Sequence, residues 1–350
     1  MHISKYCEFL THAWPKHRKV LTRGKPGVGK TVGARDAAEL LGYDFISLSG
    51  PLLTPVVVRG YPRPPTEGDG DATHCLFGGI ARAFRAVKPT VLFWDDLGAT
   101  SEETMKAVLE LVQFGQIDGR TMPDCVVQAG ATNDIGQGAG VQGMIEPLKT
   151  RWDTIIEVET DLDDVVNYGL VHGWPTDLLA FLRNTPDALH DWKPSKSITI
   201  DGACPRGWEH VAEWINALFD DPEVISGCVG RGRATQYLAF RALINELPDV
   251  NQVLLDPEHS PVPDNPSARF LVAMALSAKM SAGNFGQAVK YLNRLPAMFR
   301  ACAIRDAFRL ETSLRRERKL PANYRALATC RDFNAWVVSD DGKEIMSAVD

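Results

Sequence analysis

The chain has 350 residues, enough for two or three domains of ~100–200 residues each. Its 45% hydrophobic and 23% charged content is ordinary for a soluble globular protein and allows a sizeable core. A net charge of −6 excludes a global basic field that would call for nucleic acid, though not a local basic patch.

Residues 1–19 mix charged and apolar residues and do not resemble a signal peptide. The segment Lys19 to Thr22 reads as a short buried strand. "GKPGVGKT" follows from Gly24 to Thr31 and fits the phosphate-loop spacing G-x-x-x-x-G-K-[ST]. Along Gly24, Pro26, Gly27, Val28 and Gly29, the glycines let the backbone turn and bring N–H groups close to anionic oxygens. The Lys30 ammonium can reach the outer phosphates, and the Thr31 hydroxyl can ligate Mg²⁺, which prefers hard oxygen donors. The Ala- and Leu-rich run that follows reads as a helix closed by Gly42, so the loop sits between strand and helix. The positive end of that helix is aimed at the phosphates.

Asp44 to Gly50 reads as a second strand, Gly60 to His74 as a Pro- and Gly-rich loop, and the stretch from Phe77 as a helix. Thr90 to Leu97, "TVLFWDDL", is a continuous apolar run of the kind found in a central parallel strand, and it stops on two acids. Such a strand delivers a carboxylate beside the phosphate loop, as a Walker B element does. Asp95 is expected to hold the Mg²⁺ shell and Asp96 to orient or deprotonate the attacking water. Thr100 to Glu103 reads as a capping box that starts a helix, and Asp118-Gly119 as a hairpin turn. Strands are expected at Cys125 to Asn133 and Thr154 to Val158. Asn133, at a strand end, can hydrogen-bond the γ-phosphate or the attacking water. "ATND" lacks the lysine of a guanine-reading motif, which favours ATP over GTP.

Strands alternating with helices over the first 160 residues predict an α/β fold, a P-loop NTPase parallel sheet flanked by helices. An all-α lid is expected over residues 161–250, with Trp208, Val211, Ala212, Ile215 and Leu218 on the buried face of one of its helices. Leu247 to Pro266 is turn-rich and reads as a linker, and the domain over 251–350 reads as a further helical extension. Arginine guanidinium groups stabilise charge on a transferring phosphoryl group, and Arg151 and Arg233 are placed to be weighed for that role. Seven dispersed cysteines without a C-x-x-C pair argue for reduced thiols in a cytoplasm. Neighbouring His74 and Cys75 read as loop chemistry and not as a metal site. The apolar run Phe270 to Leu276 is far short of the ~20 residues that span a bilayer.

Taken in order, "GKPGVGKT", "VLFWDDLG", "AGATND", "EPLKTRWD" and "GRAT" resemble the motifs of the AAA+ ATPases, and within them the MoxR-like group. "VVVRGYP" and "HCLFGGIARAF" also look like MoxR-type features, and the resemblance covers about residues 18 to 245. It implies Asn133 as sensor 1, Arg151 as an arginine finger placed into the neighbouring subunit's site, and Arg233 as sensor 2 reaching its own subunit's nucleotide. It further implies an ATP-hydrolysing, Mg²⁺-dependent ring, commonly a hexamer, that remodels a protein partner, often one with a von Willebrand factor A domain. Asp96 stands where most such proteins have Glu, and valines occupy the loop where relatives often show an acid. Two other readings compete with it. One is a nucleic-acid motor or loader, resting on "GRGR" at Gly230 to Arg233 and "RRERK" at Arg315 to Lys319. The other is a nucleotide-gated scaffold with slow turnover, resting on Asp96.

Overall fold

The computed structural model describes residues 1–64, 73–133, 143–194, 198–243, 247–316, 320 and 326–346. The chain forms two compact units. One holds Met1–Asp161 with Lys193–Lys196, the other Leu162–Trp192 and Ser197–Asp350.

The first unit is built on a five-stranded, all-parallel sheet in the order β2-β5-β8-β1-β9. Its strands are β1 (Val20–Arg23), β2 (Asp44–Ser49), β5 (Thr90–Asp95), β8 (Val126–Thr132) and β9 (Thr154–Glu157). Thr90 to Trp94 are all buried, as a strand covered on both faces must be. Alternation along β5 divides its side chains between two cores. Val91 and Phe93 join a cluster under α1 (Ile3–Ala13) and α2 (Lys30–Leu41). Leu92 and Trp94 join another, under α3 (Pro55–Arg59), α4 (Gly78–Ala83), α5 (Glu102–Phe114) and α6 (Glu146–Lys149). Two short antiparallel ribbons complete the unit, β3 (Tyr61–Arg63) with β4 (Thr73–Cys75) and β6 (Gln116–Ile117) with β7 (Arg120–Thr121). Asp118 and Gly119 both take positive φ, +46° and +75°, in the twist that a two-residue hairpin turn demands.

Local details differ from the sequence reading in three places here. The cap of α5 is Ser101, not Thr100. Ser101 is the last extended residue, and its Oγ accepts from the Thr104 N–H at 3.3 Å, while Thr100 is buried. The valines after Thr54 form α3, which Thr54 caps by accepting from the Val57 N–H. His74 and Cys75 lie on β4, where His74 pairs with Asp118.

The second unit is all helical: α7 (Leu162–Val171), α8 (Thr176–Asn184), α9 (Pro205–Asn216), α10 (Pro222–Val229), α11 (Arg231–Ala242), α12 (Val250–Leu255), α13 (Pro266–Lys279), α14 (Phe285–Leu292), α15 (Ala297–Arg316), α16 (Arg331–Val337) and α17 (Asp340–Met346). On α9, Trp208, Val211 and Ala212 are buried and Ile215 is partly so. Leu218 lies beyond the helix end, in the left-handed region at φ +61° and 93% exposed, so it does not belong to the buried face. The stretch read as a linker contains α12, whose Val253 is fully buried. Part of "RRERK" lies outside the described residues.

Residues on both sides of the boundary expected near 250 contribute to one hydrophobic cluster, running from Val166 to Phe333. A buried ion network ties the same helices together. Arg183 of α8 donates from Nε and Nη2 to the two carboxylate oxygens of Asp306 on α15, at 3.0 and 2.5 Å, and from Nη1 to Asp163 on α7 at 2.6 Å. With nearly all of Arg183 and Asp306 out of water, removing either helix leaves a buried charge without its partner. Ending the chain at Leu255 would also strip the core of Phe270, Leu271, Met274 and Leu276. At about 1.5–3 kcal/mol for each large side chain, that loss matches the whole stability of an ordinary domain, about 5–15 kcal/mol. The expected outcome is therefore that residues 1–255 keep a folded first unit but lose cooperative unfolding of the helical one. Two-transition melting of the truncated chain would contradict the shared core.

Candidate active site

Three strand ends of the first unit converge. The loop Gly24 to Gly29 follows β1, Asp95 and Asp96 end β5, and Asn133 follows β8, which lies between β5 and β1 in the sheet. Two glycines are dictated by close approach. A Cβ on Gly24 would stand 2.3 Å from the Val158 carbonyl oxygen. A Cβ on Gly50, just past β2, would stand 2.4 Å from the carbonyl oxygen of Asp96. Gly27 and Gly29 adopt φ of +76° and +95°, the left-handed turn that lets backbone N–H groups face inward. Gly29 caps α2, so the helix N-terminus opens on the loop.

Lys30 is 6% exposed, and its ammonium is held by three acceptors: the carbonyls of Gly24 and Lys25 at 2.8 and 2.9 Å, and Asn133 Oδ1 at 2.8 Å. The other end of the Asn133 amide donates from Nδ2 to Asp96 Oδ1 at 3.0 Å. Asn133 thus joins the lysine of the loop to the second acid of β5. Asp96 takes the left-handed backbone conformation, φ +51°, which turns the chain off the strand and is tolerated by Asp better than by most residues. The Thr31 hydroxyl donates to Asp95, with Oδ1 at 2.9 Å and Oδ2 at 3.1 Å. Burial pushes the Asp95 carboxyl up, the adjacent Asp96 charge adds to this, and the Thr31 hydrogen bond opposes it. A hydroxyl and a carboxylate side by side are the hard oxygen donors that Mg²⁺ favours, so Thr31 and Asp95 fit that ion.

The remaining two expected residues lie elsewhere. Arg151 follows α6 and precedes β9, whose Thr154 pairs with Val20 at the start of β1. The phosphate loop leaves the other end of β1, roughly 10 Å of strand away. One Arg151 nitrogen donates to Thr150 Oγ1 at 3.1 Å, and its buried Nε has no partner among the described residues. Arg233 belongs to the helical unit, where it is fully engaged. It donates to Asp191 at 2.8 Å, to Asp187 at 2.9 Å and to Gln236 at 2.9 Å.

Motif reading did not reach the wall behind the loop. The Ile3 side chain lies 3.4 Å from where a Gly29 Cβ would stand, and the Tyr6 ring presses on Gly33 at 3.1 Å by the same measure. Tyr6 is fully buried and accepts from the Thr22 hydroxyl at 2.8 Å. Only the apolar periodicity of α1 hints at this in the sequence.

Residues 20–160 match the family model "ATPase family associated with various cellular activities (AAA)". They form an AAA-family domain. The match spans the main sheet and stops before the helical unit. A search of curated proteins gave no match. Among solved structures, the RuvB Holliday junction branch migration motor of Thermotoga maritima is 17% identical, with 83% of this chain and 86% of that chain covered and a TM-score of 0.39. A point mutant of the same protein is 16% identical over the same shares, with a TM-score of 0.40. Scores this low carry nothing over from RuvB to the AAA domain beyond a likeness. No helix among the described residues is long and apolar enough to cross a membrane.

The raised carboxyl of Asp95 makes a signed prediction for the nucleotide-free protein. A carboxyl whose folded pKa lies above its unfolded value stabilises the fold at low pH, and that contribution is lost as pH rises through the folded pKa. Asp95→Asn removes the charge while its amide oxygen can still accept from Thr31. The variant is expected to melt above the parent at neutral pH without Mg²⁺, the gap closing as pH falls towards the ordinary Asp range. Melting curves across that pH range check it, and a variant that melts below the parent at neutral pH refutes the burial argument.

Proposed function

We propose that this chain is an ATP-hydrolysing, MoxR-like AAA+ ATPase that assembles into a ring, a hexamer by family pattern, and remodels a protein partner. A partner bearing a von Willebrand factor A domain fits that pattern. The observation that carries the reading is the continuous chain of contacts from Lys30 through Asn133 to Asp96, beside the Thr31–Asp95 pair. It joins the group that would meet the outer phosphates to the group that would handle water.

Each residue then has a task that its surroundings suit. The loop N–H groups and Lys30 bind and orient the phosphates. Thr31 and Asp95 hold Mg²⁺, which when bound supplies positive charge to phosphate oxygens. Asp96 orients the attacking water and takes up its proton as the bond from phosphorus to the departing ADP oxygen breaks. Asn133 sets the position of Asp96. The Asp96 side chain is one carbon shorter than the usual Glu, and its left-handed backbone and the close approach at Gly50 fix where that carboxylate stands.

This half-site lacks a cation on the transferring phosphate's far side. Arg151 sits at the opposite end of the sheet strands with an unpartnered Nε, which suits a finger offered to a neighbouring copy. Arg233 differs, since it would have to leave Asp187 and Asp191 to act as sensor 2. An arginine finger is worth ~10³–10⁵ in rate, or roughly 4–7 kcal/mol. Arg151→Ala and Asp96→Asn are each expected to abolish measurable turnover while retaining ATP binding. Mixed under conditions of proven subunit exchange, the two dead proteins should regain partial ATPase activity, because an Asp96→Asn subunit lends its Arg151 to a neighbour with an intact acid. Exchange without any return of activity rules out action in trans.

A further inference from the structure

A cleft on the first unit lies outside the phosphate loop and outside everything assigned above. It has a volume of about 480 Å³ and opens beside the start of β2. Its floor is apolar, made by Ile46, Leu76 and Phe77, and its rim is basic, made by Arg82, Arg85 and Lys88. Lys88 is paired with Asp44 at 2.9 Å. The side chains of Arg82 and Arg85 make neither an ion pair nor a hydrogen bond among the described residues, and both are exposed. Two guanidinium groups without a counter-charge therefore flank an apolar hollow, in a chain whose net charge is −6. That local sign is opposite to that of the whole, and it selects an anionic ligand.

The position of the cleft selects the kind of anion. β2 is the outermost strand of the main sheet, and its outer edge pairs with no other strand among the described residues. Such an edge accepts an extended chain, whose alternate side chains enter adjacent pockets. Phe77, 36% exposed, already stacks on Tyr61 with ring centroids 5.4 Å apart, so it forms a wall more than an open platform for a base. We propose that this cleft docks an extended acidic segment of a partner protein. One apolar side chain fills the hollow, and carboxylates on either side meet Arg82 and Arg85. The proposal stands on this geometry and does not depend on ATP hydrolysis.

The test uses the full chain without nucleotide and reads fluorescence anisotropy. The probe is a fluorescein-labelled peptide with one central Phe between paired glutamates. Its counterpart with lysines for the glutamates, and an oligothymidylate of similar length, are the comparisons. The acidic peptide is expected to bind and the lysine peptide not to. Arg82→Glu with Arg85→Glu should weaken binding by about tenfold or more, roughly 1.4 kcal/mol. Arg82→Lys with Arg85→Lys should keep most of it. Both positions are exposed, and unchanged melting curves confirm that the variants fold. Acidic-peptide binding that ignores the charge reversal overturns the proposal, as does no binding. Tighter, arginine-dependent binding of the oligothymidylate overturns it in favour of a nucleic-acid site.

Discussion

A buried ammonium organises the first unit. Taking Lys30 out of water is tolerable only if its protons find acceptors, since an unpaired charge in that position would cost several kcal/mol. Three are supplied, and they come from separate parts of the chain: two carbonyls of the loop after β1 and the amide of Asn133 after β8. Satisfying Lys30 therefore fixes the loop against the sheet. Because the same amide also donates to Asp96, it fixes the end of β5 as well. The parallel strand order is what brings these ends to one edge, with β8 lying between β5 and β1. The glycines at positions 24 and 50 are there because the backbones of Val158 and Asp96 leave no room for a side chain.

Much of this was legible in the sequence, and the reasons differ by element. The phosphate loop was read because its spacing carries a mechanism, and β5 because an apolar run ending in two acids has few other readings. Asn133 was legible as a strand-end residue, but its double bond was not, because Lys30 and Asp96 lie 103 and 37 residues away. Pairings of that range belong to topology and not to local pattern. The cap of α5 was misplaced by one residue because Thr100 and Ser101 are chemically alike; burial of Thr100 decided it. Leu218 fitted a helical stripe on paper, yet the helix ends at Asn216 and the chain turns left-handed beyond it. α12 was hidden by the prolines and acids around it, and Val253 shows that a short helix can anchor a turn-rich stretch in a core.

The helical unit adds a constraint of its own. Its core and the Arg183–Asp306–Asp163 network join helices from before and after residue 250. Any role for the last hundred residues in choosing a partner must operate through a surface of that unit, since its interior is shared with the helices before it. Arg233 is fastened within the same unit by two carboxylates, so engaging it elsewhere would require breaking both pairs.

The central claim is that each site is half-built in one chain and completed by Arg151 of another. Specific ATPase activity as a function of protein concentration, read alongside light scattering, tests it most directly. The account predicts activity per chain that is negligible where the protein is monomeric and rises in step with assembly. Undiminished activity per chain at concentrations where scattering shows only monomer would contradict it.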